Sequence, residues 1–386
     1  MINILPVPQP GEKIDWDALY NSELKPEFDR MRRTMQNSDW HGEGDVWTHT
    51  QMVCQALVEM ESWANQSADI REILFVAALL HDIGKPACTH IEDGKIVSSN
   101  HTRVGAKIAR QILWRRFDLA GSKPAQDFRE AVCSLIRFHS VPPHILDSDN
   151  PVYSVVRTSA EGFTVPKFTN QALAILVEAD MRGRIADTIE NSVETVRLFA
   201  QTAEENGCLN NPFPFVSNYS RFKYFHDKLD YPGINLYDNT WGTIVILSGL
   251  PGTGKDAYIK ARLSNLPVIS LDAIREEASV GATENQGAVI NAARARAKEY
   301  LRNKTPFVWN ATNVTAFVRN PIIQLCCDYS ASVKIVYLET SWSEQIRRNA
   351  SRENSVPESV LESLLEKMEI PVCREAHDVE WSGGAF

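Results

Sequence analysis

The sequence predicts two domains of different class: an all-α helical domain followed by an α/β domain built on a parallel sheet. Three observations lead there. A length of 386 residues suits two or three domains at roughly 100–200 residues each. Up to about Asn210 apolar residues recur at i, i+3, i+4 and i+7 without strand alternation, which is the period of amphipathic helices. From Thr243 onward short β-branched runs alternate with helical stretches, as parallel strands joined by crossover helices do.

The elements follow in that order. Residues 1–211 read as the helical domain. Residues 212–239 mix Pro, Asn, Ser and aromatics and read as a connector, with one short helix over Tyr219–Leu229. Residues 240–386 read as the α/β domain. Its expected strands are Thr243–Leu247, Val268–Leu271, Phe307–Asn310 and Val333–Leu338, and its clearest helices are Gly287–Arg302 and Val356–Glu369.

Composition narrows the class further. Hydrophobic residues at 44% and charged residues at 23% exclude a disordered or fibrous chain. The longest apolar run, Ile73–Leu80, is too short to span a bilayer, and the first residues lack a basic stretch followed by an apolar one, so no membrane association and no secretory leader are expected. Seven cysteines without CxxC spacing argue against a disulfide framework or a zinc cage; a reducing, cytoplasmic setting is the expectation. The net charge of −9 argues against non-specific coating of nucleic acid. The excess of acid sits before Asn239, so a local basic groove in the second domain remains compatible with it.

The informative feature of the first domain is the placement of its histidines. His49 is in register with Met52, Val53, Ala56 and Met60; His81 completes Leu74, Ala77 and Ala78 and is followed at once by Asp82. His101 opens the stripe Val104, Gly105, Ile108, Ile112; His139 completes Val132, Leu135 and Ile136; Asp180 completes Leu173, Leu176 and Val177. A single inward histidine is usually a hydrogen-bonded core side chain. A carboxylate driven into a core must lose its charge or find a cation. Several inward imidazoles and two inward carboxylates on different helices answer each other around a divalent first-row ion. His81-Asp82 could supply two ligands to one metal or bridge two. Lys85, just past the Gly84 and Pro86 that stop the helix, could reach a substrate phosphate.

The ordered set His49, His81-Asp82 and Asp180, with the segments HDIGKP, NHTRVGAKIARQIL, IRFH and EADMRGR, resembles the HD-domain phosphohydrolase superfamily, and especially the HD domain attached to some tRNA nucleotidyltransferases. The resemblance covers roughly Val46 to Arg184. It implies metal-dependent hydrolysis of a phosphate ester, with His49, His81, Asp82 and Asp180 as metal ligands. His101 and His139 would complete a second metal site or bind the scissile phosphate. The implied ion is a transition metal such as Mn²⁺, Co²⁺ or Ni²⁺.

In the second domain the strand TIVILS runs into Gly249-Leu250-Pro251-Gly252-Thr253-Gly254-Lys255-Asp256 ahead of a helix. Gly249, Gly252 and Gly254 let backbone N–H groups, with that of Thr253, turn toward a polyphosphate. The helix N-terminus adds its positive end and Lys255 reaches the β/γ-phosphates, the arrangement of a P-loop. Asp256 stands where Ser or Thr usually ligates Mg²⁺, and could hold the ion directly or through water. Asp272 follows the second strand, at the carboxyl edge where ligands bind, and is placed either to accept a proton from an attacking hydroxyl or to cap a helix. Arg275 could fork onto an acceptor phosphate. Arg348 and Arg352, spaced i, i+4, could close over a transferring phosphoryl group as a lid.

These pieces, GLPGTGKD, LDAIR, NATNVT and RRNASRE followed by VPESV, resemble the 5′-OH polynucleotide kinase family of P-loop phosphotransferases over about Thr243 to Trp381. The resemblance implies Lys255 on the donor phosphates of ATP or another NTP with Mg²⁺, Asp272 as general base and Arg275 on the phosphate beside the attacked 5′-OH. Arg348 and Arg352 become lid arginines, with Arg319 a further candidate near the crevice. Both modules in this order resemble the bacterial HD-Pnk family. That implies a two-headed RNA end-healing enzyme whose substrates are 5′-OH and 2′,3′-cyclic or 2′/3′-phosphate ends and whose product goes to an RNA ligase. Two other readings keep the same modules: an HD nucleotide or cyclic-nucleotide phosphohydrolase fused to a small-molecule kinase, and an NTP-gated RNA-binding regulator without turnover.

Overall fold

The computed structural model describes residues 2–279, 286–351 and 355–383. The chain divides into two compact units. One gathers residues up to Leu119 with Pro124–Pro214; the other joins Ala120–Lys123 to the chain from Phe215 onward.

The first unit is helical. Its central helices are Val46–Glu59, Ala68–Leu80 and Asn170–Arg182, which pack on one another. Each begins on a polar cap. The Asp45 carboxylate accepts from the Trp47 and Thr48 amides, Ser67 Oγ from Ile70, and Thr169 Oγ1 from Ala172. Such caps satisfy amide groups that the first helical turn leaves without partners. The Ala68–Leu80 helix is buried from Glu72 to its end, which explains why its sequence is apolar nearly all round. Helices His101–Arg115 and Lys123–Phe138 complete the site's surroundings. One feature departs from the all-helical expectation: β1 (His90–Glu92) and β2 (Lys95–Val97) form a small antiparallel hairpin around Asp93-Gly94.

Two glycines set how closely these helices approach. A Cβ on Gly84 would stand 2.2 Å from the His101 carbonyl oxygen and 2.6 Å from the Gly105 nitrogen. A Cβ on Gly183 would stand 2.6 Å from the Val53 nitrogen. The first contact brings the His81-Asp82 turn onto the start of the His101 helix. The second brings the end of the Asp180 helix onto the His49 helix. Pro86 begins a short helix, Lys85–Cys88, rather than merely stopping the preceding one.

The second unit carries a five-stranded parallel sheet: β3 (Thr243–Ser248), β4 (Val268–Ser270), β5 (Val308–Asn310), β6 (Ser332–Glu339) and β7 (Asp378–Gly383), in the order β4-β5-β3-β6-β7. The first four match the expected strands; the fifth was not expected. β3 is buried along its length after Thr243, as a central parallel strand is. The stretch read as a connector contributes the helix Asn218–His226. Its Phe222 belongs to the core with Ile244, Ile246 and Ile335, and Arg221 donates to the His377 carbonyl. Among the described residues no helix is long and apolar enough to cross a membrane, and none of the seven cysteines forms a disulfide.

Gly84→Ala should lower the stability of the first unit by about 1–3 kcal/mol, the cost of forcing atoms into a packed contact. Gly287→Ala is the control, because nothing lies within 4 Å of a Cβ there and the position is helical. Thermal unfolding of the two variants checks this: a fall of several degrees for the first with none for the second is expected, and equal behaviour would remove Gly84 from its role.

Candidate functional site

The helical unit brings all six predicted ligands together. His49 Nε2 lies 3.1 Å from Asp180 Oδ1 and 3.3 Å from His81 Nε2. His101 Nε2 lies 3.3 Å from His139 Nε2. Asp82 sits between the pairs. Its Oδ2 is 3.2 Å from His81 Nε2 and 3.7 Å from His49 Nε2, and its Oδ1 is 3.5 Å from His101 and 3.9 Å from His139. The ligand atoms of His49, His81 and Asp180 all lie within 4.8 Å of one another, and so do those of Asp82, His101 and His139.

The other ring nitrogen of three histidines is committed. The Nδ1 of His81, His101 and His139 donates to the carbonyl three residues earlier, Ala78, Ser98 and Ile136, at 2.8, 2.8 and 2.9 Å. That fixes the tautomer whose bare Nε2 faces the cluster. In the His101/His139 pair, lone pairs therefore point at each other across 3.3 Å. Neither oxygen of Asp82 accepts a well-formed hydrogen bond although both are buried. Crowded imidazole nitrogens around an unsatisfied carboxylate fit divalent cations, so the donor set passes the test of its own chemistry.

The electrostatics agree. Burial alone would raise the Asp82 carboxyl, but the charges of His81 and Lys85 outweigh it and hold the group well below the usual carboxylate range. Burial also opposes the charged Asp180, and Arg184 and the His49 bond overcome it. Burial and the neighbouring His101 push His139 down to about 3, and burial lowers His101. Burial likewise lowers His81, but Asp82 and Asp180 more than reverse it. The His101/His139 pair thus consists of neutral donors at neutral pH.

Lys85 differs from a solvated lysine just past the helix. It is 7% exposed, its Nζ lies 2.7 Å from Asp82 Oδ2, and it donates to Gln36 Oε1 at 2.5 Å. Four further residues escaped the sequence reading. Arg184 forks onto both oxygens of Asp180, Gln36 receives Lys85, and Glu43 accepts from His41 and His49. Glu43 is held below the usual carboxylate range: burial opposes the charge, and bonds from His41, His49 and the Ile185 amide prevail. Arg184 alone carried a signal, its i+4 spacing from Asp180.

In the second unit, Gly249 through Asp256 link β3 to the helix Lys255–Arg262. Gly252 and Gly254 have φ of +84° and +94°, a region that favours glycine. A Cβ on Gly249 would lie 2.4 Å from the Leu338 carbonyl oxygen. Thr253 is buried and bonds back to Leu250. Lys255 Nζ donates to the carbonyls of Gly249 and Leu250, 2.9 Å each. The 312–313 turn braces the loop: Gly249 N donates to Thr312 O, and Asn313 Nδ2 donates to Leu247 O.

Asp256 Oδ1 accepts from Asn310 Nδ2 at 2.8 Å, so the aspartate at the usual Ser/Thr position is tied to the end of β5. Asn310 faces Ser270 across the β4–β5 register. Asp272, two residues beyond Ser270, lies on that same carboxyl edge. It is not the helix cap; Ser270 is, its hydroxyl accepting from the Ala273 amide. Asp272 is exposed and pairs with Arg275, which also donates to Gln286.

Arg348 lies on the helix Trp342–Ala350, which rests on the phosphate loop. Gln345 donates to the Pro251 carbonyl, and a Cβ on Gly252 would meet Arg348 Cβ at 3.7 Å. Arg348 Nε is engaged by Glu344 at 2.6 Å. Arg352 lies outside the described residues. Arg319 is not a lid arginine. It is fully buried, forked onto Glu375 at 2.7 and 2.9 Å, and donates to the Asn313 carbonyl; it braces the loop.

Comparison with known proteins agrees with this geometry. The HD domain family matches residues 46–162, and Asp180 lies beyond that match. The AAA domain family matches residues 244–371. Among curated proteins the chain is similar to L-seryl-tRNA(Sec) kinase of Methanococcus maripaludis, 24% identical over 144 residues, 35% of this chain and 56% of that protein. The chain thus spans little more than half the length of that relative. The chain is thus an HD domain followed by a P-loop kinase-like AAA domain.

Proposed function

We propose that the chain is a bifunctional RNA end-healing enzyme: a metal-dependent 2′,3′-cyclic phosphate and 2′(3′)-phosphate phosphoesterase joined to an NTP-dependent 5′-OH polynucleotide kinase. The observation that carries the first activity is Asp82 standing between the His49/His81/Asp180 triad and the His101/His139 pair. His49, His81 and Asp180 would hold one divalent ion, His101 and His139 the other, and Asp82 both. Such ions supply hydroxide near neutral pH and draw charge from phosphoryl oxygens. Lys85 and Arg184 bring positive charge beside the ligand carboxylates, where an anionic ester must approach.

For the kinase, Lys255 and the loop amides are placed to bind donor phosphates. Asp272 takes the proton of the attacking 5′-hydroxyl, the new 5′-O–P bond forms, and the bond from the γ-phosphorus to the β–γ bridging oxygen breaks, releasing NDP. Arg275, now paired with Asp272, would turn to the acceptor's phosphate, and Arg348 would leave Glu344 for the transferring group. An RNA substrate is supported by three things: the order of the modules, the fit of the two activities to the two ends of one cleaved strand, and a relative whose name describes a kinase acting on a charged tRNA.

The test is an oligoribonucleotide bearing a 5′-OH and a 2′,3′-cyclic phosphate, incubated with NTP, Mg²⁺ and Mn²⁺, Co²⁺ or Ni²⁺. Conversion to 5′-phosphate and 3′-OH ends is expected; phosphate transfer only to small molecules, or no turnover, contradicts the reading. Asp82→Ala should lower 3′-end phosphate release by at least about 100-fold and leave 5′ phosphorylation within a factor of about two. A parallel fall in both activities would show that the sites are not separate. Asp272→Ala should lower 5′ phosphorylation by about 10²–10⁴-fold with NTP affinity retained. Loss of NTP binding in that variant would mark Asp272 as part of the binding site rather than the base.

A further inference from the structure

His49 is held differently from the other three histidines of the cluster. Their Nδ1 groups each use a carbonyl three residues earlier in the chain. His49 sits inside its helix, so its acceptors come from elsewhere: the Gly183 carbonyl at 3.2 Å and Glu43 Oε1 at 2.9 Å. Glu43 is itself fixed on every side. Its side chain is 1% exposed, Oε1 also takes His41 Nδ1 at 2.7 Å, and Oε2 takes the Ile185 amide at 2.9 Å. The loop carrying it is clamped to the same strand of chain, because the Gly42 amide donates to the Ile185 carbonyl.

From this geometry we infer that Glu43 is a positioning residue that makes the His49/His81/Asp180 pocket the tighter of two unequal metal sites, filled before the Asp82/His101/His139 pocket. The inference rests on the metal-centre reading above. A carboxylate behind an imidazole fixes which nitrogen is bare, aims it, and raises its donor strength; losing such a partner typically weakens metal binding about 10–100-fold. Among the described residues no carboxylate stands behind the histidines of the second pocket in this way. Its histidines lean on neutral carbonyls, its carboxylate is the shared Asp82, and the His101 side chain is 21% exposed. Arg184 withdraws some charge from Asp180, and the Glu43 carboxylate compensates through His49.

Titration of the metal-free full-length protein with Co²⁺, followed by calorimetry and by the visible absorption of the bound ion, tests this. Wild type should bind in two steps. Glu43→Gln should weaken the first step about 10–100-fold, leave the second unchanged, and leave the melting temperature of the metal-free protein within a few degrees. An unchanged first step overturns the role of Glu43. Equal weakening of both steps with a lower melting temperature overturns it too, by showing a general structural effect. Should Glu43→Gln not fold, the filling order is read from ligand variants: Asp180→Asn must abolish the first step and His139→Ala must spare it, and the reverse refutes the assignment. Absence of any Co²⁺ binding by wild type refutes the metal-centre reading and this inference together.

Discussion

The helical unit is organised around a repulsion. Imidazole nitrogens face each other at 3.3 Å in two pairs, and Asp82 lies between them with Lys85 at 2.7 Å from one oxygen. Burying a carboxylate carries a desolvation cost that a partner charge only partly returns. A core that sought only stability would fill this space with apolar side chains. The fold instead spends close backbone contacts at Gly84 and Gly183 to bring these groups together. Lys85 and Arg184 offset part of the negative charge from the flanks, each taking one carboxylate. What they leave facing inward is a set of nitrogen and oxygen atoms that divalent ions would satisfy.

The second unit solves a different problem with different means. Its candidate ligand surface is a loop at the carboxyl edge of a parallel sheet, where Gly252 and Gly254 take left-handed dihedrals. Side chains serve the loop as braces: Asn313 and Arg319 hold it from beneath, and Gln345 holds it from the Trp342–Ala350 helix. The Asp256–Asn310 bond gives the departure from Ser/Thr at that position a local account. The aspartate is a fixed side chain at the strand edge rather than a loose charge beside the phosphates.

The residues of the cluster could be read from the sequence because helical period carries position. A polar residue in step with an apolar stripe must face the core, and His49, His81, His101, His139 and Asp180 all satisfy that rule. Their division into two triads could not be read, because it depends on which helices touch. Glu43 and His41 lie in a loop without periodicity, so nothing in the pattern aims them at His49. The same limit explains β7: DVEWSG lacks a β-branched run, and only its pairing with β6 makes it a strand. It also explains Arg319, whose burial under Glu375 is set by chain 56 residues away. The first four strands of the sheet were legible because each carries a β-branched or apolar run, as strands of a parallel sheet do.

The most direct test of the account is anomalous diffraction from crystals of the full-length protein soaked in Mn²⁺, with data collected at the manganese edge. The account predicts two peaks flanking Asp82, each at about 2.0–2.3 Å from its ligand atoms: one among His49, His81 and Asp180, the other beside His101 and His139. No peak between these residues, or a metal bound with the Nε2 atoms of the two histidine pairs still facing each other unoccupied, would contradict it.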